Sequence, residues 1–112
     1  MAAIEKRVFD EPDATSDAIE RMLREDVGIG GAQFTRVTVQ PGWRWSEHVR
    51  PIVQTESCQV DHLVYMLSGR MAARADSGDE VEFAAGEWGH IPPGHDGWTV
   101  GEEPAVWIEV VH

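Results

Sequence analysis

The chain has 112 residues, enough for one domain with its own apolar core and no disulfide or metal staple. Its 20 acidic side chains against 9 basic ones give a formal net charge of -11, which argues against nucleic acid or an anionic bilayer as the main partner. A hydrophobic content of 42% excludes long-range disorder, and a single cysteine, Cys58, excludes an internal disulfide, so a reducing, cytoplasmic setting is expected. The opening run Met1-Ala2-Ala3-Ile4-Glu5-Lys6-Arg7 lacks the apolar core of a signal peptide, and no apolar run approaches a membrane span.

Thr15-Ser16-Asp17 ahead of Glu20 reads as a helix start with Ser16 as cap, and Ile19, Met22, Leu23 and Val27 recur at helical spacing. Gly28, Gly30 and Gly31 would end that helix, which gives an expected helix over about 16–26. An extended arm around Pro12 is the alternative. From Ala32 the period changes to that of strands. Phe34 to Val39 reads as a strand stopped by Pro41-Gly42, Trp43 to Val49 as a second, and Cys58 to Leu67 as a third ending at Ser68-Gly69. Arg70 to Ala75 and Glu80 to Ala84 flank the hairpin turn Asp76-Ser77-Gly78-Asp79. Trp88 to Ile91 precedes Pro92-Pro93-Gly94, Trp98 to Val100 precedes Gly101-Glu102-Glu103-Pro104, and Ala105 to Val111 closes the series. Many short strands with regular turn signals predict an all-β sandwich or barrel over 32–112, with 1–31 as an arm or short helix packed on it.

Strand alternation groups the side chains that carry chemistry. Cys58, Val60, His62, Val64 and Met66 share one face, an apolar wall with a thiol and an imidazole near one end. Such a wall suits a ligand pocket. Read as a strand, the preceding segment places Arg44, Ser46, His48 and Arg50 on one face and Trp43, Trp45 and Glu47 on the other. If both strands point those residues inward, His48 meets His62.

The run from Gly42 to Gly97 resembles the core of the cupins, small double-stranded β-helix (jelly-roll) barrels. The first cupin motif reads Gly, five residues, His-x-His, three or four residues, Glu, six residues, Gly. Here Gly42 is followed after five residues by His48, and His62 precedes Gly69 by six. The second motif reads Gly, five residues, Pro-x-Gly, two residues, His, and here Gly86 is followed after five residues by Pro92-Pro93-Gly94. The stretches Pro41 to His48, Thr55 to Gln59 and Ile91 to Asp96 look like a subgroup of single-domain bacterial cupins, a likeness that implies a fold and a candidate site but no substrate.

The departures shape the expected site. Arg50 replaces the second histidine, His62 fills the glutamate slot, and Gly97 stands where the last histidine is expected, with His95 two residues earlier. A second register is also available, in which Glu56, Cys58 and His62 take the places of His, His and Glu, but Arg50 then replaces the leading glycine. The first register makes His48, His62 and His95 the implied ligands of a divalent transition metal (Zn, Fe, Ni or Mn); the second keeps Cys58 and Glu56 as further ligands. The alternative is a set of pocket histidines bonded to one another or to water. Cys58 itself reads as a pocket-lining apolar residue, then as a metal ligand, and last as a nucleophile, for which the sequence shows no base and orienter. His90 is expected to be structural or exposed and His112 to sit in a frayed tail.

The resemblance implies a barrel pocket lined by Val60, Val64 and Met66, with Trp98 at its mouth. Arg44 and Arg50 either hold a carboxylate or phosphate there or pair with surface acids. It also implies a homodimer and a small-molecule ligand or substrate. As an enzyme the domain would be a metal-dependent oxygenase or isomerase. The rival readings are a non-catalytic ligand- or metal-sensing module and a metal-free, epimerase-like cupin using a histidine as base. The lack of a clear carboxylate ligand counts against a two-histidine, one-carboxylate iron site.

Overall fold

The computed structural model describes residues 3–112. Among the described residues, nine strands and two single-turn helices follow in order: β1 (Ala14–Ser16), β2 (Met22–Ile29), β3 (Ala32–Val39), α1 (Trp45–His48), α2 (Arg50–Val53), β4 (His62–Ser68), β5 (Arg70–Ala75), β6 (Glu80–Ala84), β7 (Trp88–Ile91), β8 (His95–Val100) and β9 (Ala105–Val111). They form two antiparallel sheets, a six-stranded one ordered β1-β2-β3-β9-β4-β7 and a three-stranded one ordered β6-β5-β8. The expected strands over 34–39, 70–75, 80–84, 88–91 and 105–111 are present.

Two expected elements are corrected. The segment read as a helix over 16–26 is strand. β2 pairs with β3 without a break from Met22↔Val39 to Ile29↔Ala32, and Ser16 lies in β1 opposite Arg24. Of the glycines read as a helix stop, Gly28 lies inside β2 opposite Gln33, and Gly30 and Gly31 are the turn of this hairpin, with φ of 58° and 79°, the left-handed pair that a two-residue turn requires. The segment read as a strand over 43–49 turns instead into α1. Arg44 is extended, and the backbone N–H of Ser46 then donates to Asp96 Oδ1 at 3.1 Å, so a carboxylate from β8 satisfies a free donor of the first turn. This buries Trp43 and Trp45 together, which strand alternation alone would also allow, but it holds the His48 ring against the Arg44 backbone.

The inner face of the large sheet is set by register. Paired residues point to the same side, so the rows Arg24–Val37–Trp107–Met66 and Thr35–Glu109–Val64 face inward. Val37, Val39, Val64, Met66 and Ala105 are fully buried there, with Trp43, Trp45, Met71, Ile91 and Trp107 packed against them. Each such valine, isoleucine or methionine contributes about 1.5–3 kcal/mol through burial. At the β4–β5 corner Gly69 has φ of 68°, and a Cβ there would lie 2.1 Å from the Pro104 carbonyl oxygen. Only glycine lets the two chain segments approach so closely.

Candidate functional site

Long-range backbone pairing assembles the site. Cys58 lies four residues before β4 and bridges to the first residue of β8: its N–H donates to the His95 carbonyl at 2.7 Å, and the Gly94 N–H donates to the Cys58 carbonyl at 2.7 Å. Next to it the Ser57 hydroxyl donates to Asp76 Oδ2 at 2.8 Å, tying this loop to the β5–β6 turn. His62 opens β4 two residues before Val64, and Val64 pairs with Glu109 on β9. A thiol, two imidazoles and a carboxylate thus converge from four parts of the chain.

Cys58 Sγ lies 3.6 Å from His62 Nε2, and the His62 and His95 rings meet edge to face at 5.1 Å between centroids. One ligand atom from each of Cys58, His62 and His95 falls within 4.8 Å of the others. Each histidine is held from behind. His95 Nδ1–H donates to the Pro92 carbonyl at 2.8 Å, and His62 Nδ1–H donates to Glu109 Oε1 at 3.0 Å. A carbonyl and a carboxylate only accept, so each Nδ1 carries a proton and both Nε2 atoms face the cluster, where His62 Nε2 holds a second proton when the ring is an imidazolium. Trp107 Nε1–H donates to the same Glu109 oxygen at 3.1 Å and fixes it.

The electrostatics follow from this wiring. Burial pushes the Cys58 thiol up, but hydrogen bonds from His62 and His95 outweigh it and bring the pKa from 9.0 down to about 6. Burial pushes His62 down, but the Cys58 and Glu109 partners outweigh it and raise it from 6.5 to about 9. Burial likewise pushes Glu109 up, yet His62, Trp107 and the Arg24 charge hold it below the ordinary 4.5. At neutral pH the group is a thiolate and an imidazolium backed by a carboxylate.

Of the residues expected from sequence, His62, His95 and Cys58 come together, and His48 and Glu56 do not join them. His48 sits in α1 with Nδ1 3.1 Å from the backbone N and O of Arg44. Glu56 is exposed and faces Arg50 at 3.8 Å. The Cys58–His62 pairing matches the second motif register rather than the first. The barrel encloses a cavity of about 350 Å³, lined by the cluster and by Trp43, Trp45, Met71, Ile91 and Trp107. Val60 lines it, whereas Val64 and Met66 lie beneath the wall in the solid core. Trp98 is not at the mouth: Arg44 stacks on it at 4.4 Å and pairs with Asp96 at 3.4 Å, which takes Arg44 out of the pocket as well. His90 is exposed and bonds Asp61, which also holds His112, so the last residue is tied rather than frayed.

Glu109 is the site residue that the sequence reading misses. Its signal is an acid on the Trp107 face of an otherwise apolar strand. The same residue supplies what Cys58 lacks in sequence: Cys58, His62 and Glu109 stand in the order nucleophile, base and orienter.

No protein-family model matches the sequence, and comparison with curated proteins finds no match. Solved structures do match it. A protein of unknown function from Rhizobium leguminosarum bv. viciae 3841 superposes with a TM-score of 0.68 at 21% identity, over 97% of this chain and 96% of that one. The polyketide cyclase RemF from Streptomyces resistomycificus gives 0.67 at 16% identity, over 96% and 78%. KdgF from a Halomonas species gives 0.61 at 15% identity, over 87% and 83%. RemF and KdgF are cupins by fold, so this chain has the cupin architecture that its spaced motifs imply.

Proposed function

We propose that this domain is a small-molecule-binding cupin in which Cys58, His62 and His95 hold a divalent transition metal beside the barrel cavity. The observation that carries the reading is the convergence of three ligand atoms within 4.8 Å, with both imidazoles oriented from behind. The donor set fits. Zinc bonds of about 2.3 Å to sulfur and 2.0 Å to nitrogen place tetrahedral neighbours about 3.5 Å apart, and Cys58 Sγ and His62 Nε2 are 3.6 Å apart. A thiolate with two imidazoles suits Zn better than Mn, and three protein ligands leave a position for a guest or water. Glu109 and the Pro92 carbonyl supply the outer partners that such ligands require. A bound metal would act as a Lewis acid on a guest oxygen. The chain's own part is to keep Cys58 ionised, hold the His62 proton on Nδ1, and exclude water with the tryptophan wall. Similarity to a polyketide cyclase supports small-molecule chemistry over pure structure.

A metal-free reading rests on the Cys58–His62–Glu109 order, which gives an activated thiolate without any ion. Metal analysis of untagged protein separates the two. Stoichiometric metal in the native chain, lost in His62→Ala and Cys58→Ala and kept in His48→Ala, is expected. Native protein that neither carries metal nor takes up zinc would refute the metal site and leave the thiolate reading. A homodimer is part of the proposal, with a second copy covering the β7 edge where Trp88 is exposed against Tyr65. Light scattering giving a monomer mass would remove it.

A further inference from the structure

The cavity carries an arginine, Arg24, whose charge acts on Glu109 but whose guanidinium makes no ion pair with the cluster. Arg24 lines it from β2, and the register places Arg24 in the inward row that continues through Val37, Trp107 and Met66. In a chain with 20 acids, Arg7, Arg21, Arg36, Arg44, Arg50 and Arg70 each face a carboxylate. Among the described residues Arg24 has no carboxylate within 4.0 Å, and Arg74, which also has none, does not line the cavity. Val37 and Trp107 continue its row across the sheet, Ile19 and Met22 share the lining, and the nearest acid in the lining, Glu109, feels its charge without pairing with it.

This composition selects a guest. Trp43, Trp45 and Trp107 offer flat apolar faces, and Met22 and Met71 are adaptable fillers between them. Arg24 stands two strand spacings, about 10 Å, from Trp107 across the sheet, so a ring system lying against the tryptophan wall reaches it. At about 350 Å³ the cavity is at the small end of ligand sites, which run to about 300–1,000 Å³. A guanidinium presents a planar fork that matches a carboxylate with two parallel N–H donors. We propose that the guest of this cavity is a small ring-bearing organic acid, its apolar body held by the tryptophan wall and its carboxylate paired by Arg24. This deepens the small-molecule reading above and holds whether or not a metal is bound. Arg24 then decides specificity, because the surrounding net charge otherwise repels anions.

The test is calorimetric titration of the purified protein, before and after EDTA treatment, with 2-naphthoate and with its neutral counterpart 2-naphthamide. The expected result is naphthoate binding at least tenfold tighter than naphthamide in both preparations. Arg24→Met should bring the two within twofold by weakening naphthoate far more than naphthamide, and Arg24→Lys, which keeps the charge without the fork, should retain part of the preference. Arg24 is exposed at the cavity edge, so thermal unfolding of both variants should follow the native chain. Equal binding of acid and amide, or a preference that survives Arg24→Met, overturns the role of Arg24 and leaves the pocket reading intact. Failure of both probes to bind overturns the proposal and the pocket reading together. A preference that disappears with EDTA assigns the carboxylate to the metal and also overturns it.

Discussion

Gly69→Ala tests how the β4–β5 corner is held against β9. Two costs add. A non-glycine residue at φ of 68° loses about 1–2 kcal/mol to left-handed backbone strain. The new Cβ would also lie 2.1 Å from the Pro104 carbonyl oxygen and 2.8 Å from Ala105 Cα. Both are backbone atoms, so no side chain can rotate away. The start of β9 must move, and Ala105 is fully buried there. Forced displacement of a packed segment costs about 1–3 kcal/mol. The sum, about 2–5 kcal/mol, is a large part of the 5–15 kcal/mol that holds an ordinary domain together. At about 4 °C per kcal/mol for a chain this size, the midpoint should fall by about 8–20 °C. Gly30→Ala is the matched control, because φ is 58° and nothing lies within 4 Å of its Cβ. It should cost only the strain, about 1–2 kcal/mol. Thermal and urea unfolding of the two variants read the difference directly. Equal losses would refute the argument, since backbone strain alone would then account for Gly69.

Two further predictions concern the cluster. Metal-free protein should be most stable between about pH 6 and 9. Cys58 titrates at about 6 folded against 9.0 ordinarily, so its contribution is full above 9 and is lost as pH falls through 6. His62 titrates at about 9 folded against 6.5 ordinarily, so its contribution is full below 6.5 and is lost as pH rises through 9. Both losses break the same thiolate–imidazolium pair. Melting temperature in EDTA across pH 5–10 measures this, and a flat profile would contradict it. Glu109→Gln keeps the shape of the side chain and removes its charge, so the His62 midpoint should fall from about 9 toward 6.5. NMR of the histidine rings follows this, and an unmoved His62 would show that Glu109 does not act on it.

Much of the architecture is legible locally. Alternation in 34–39, 70–75 and 105–111 and the Asp76-Ser77-Gly78-Asp79 turn point to a sandwich or barrel by themselves, because strand period and turn chemistry are properties of a few consecutive residues, and the resemblance carried by the spaced Gly69 and Pro92-Pro93-Gly94 narrows this to the barrel. Short apolar runs are not so decided. Met22 to Ile29 fits either period, and pairing with β3 settles it as strand. Trp43 to Val49 fits strand alternation, and a carboxylate from Asp96 settles it as a helical turn. That one reversal explains why strand alternation puts His48 beside His62 while the folded chain holds it over Arg44. The cluster itself is a product of pairing at long range. Cys58 meets His95 across 37 residues, and His62 meets Glu109 across 47, through registers that no local pattern encodes. Local sequence places a thiol and imidazoles on suitable faces. Which faces meet, and so which atoms share a site, depends on how the strands align, and that is set by the core they bury together.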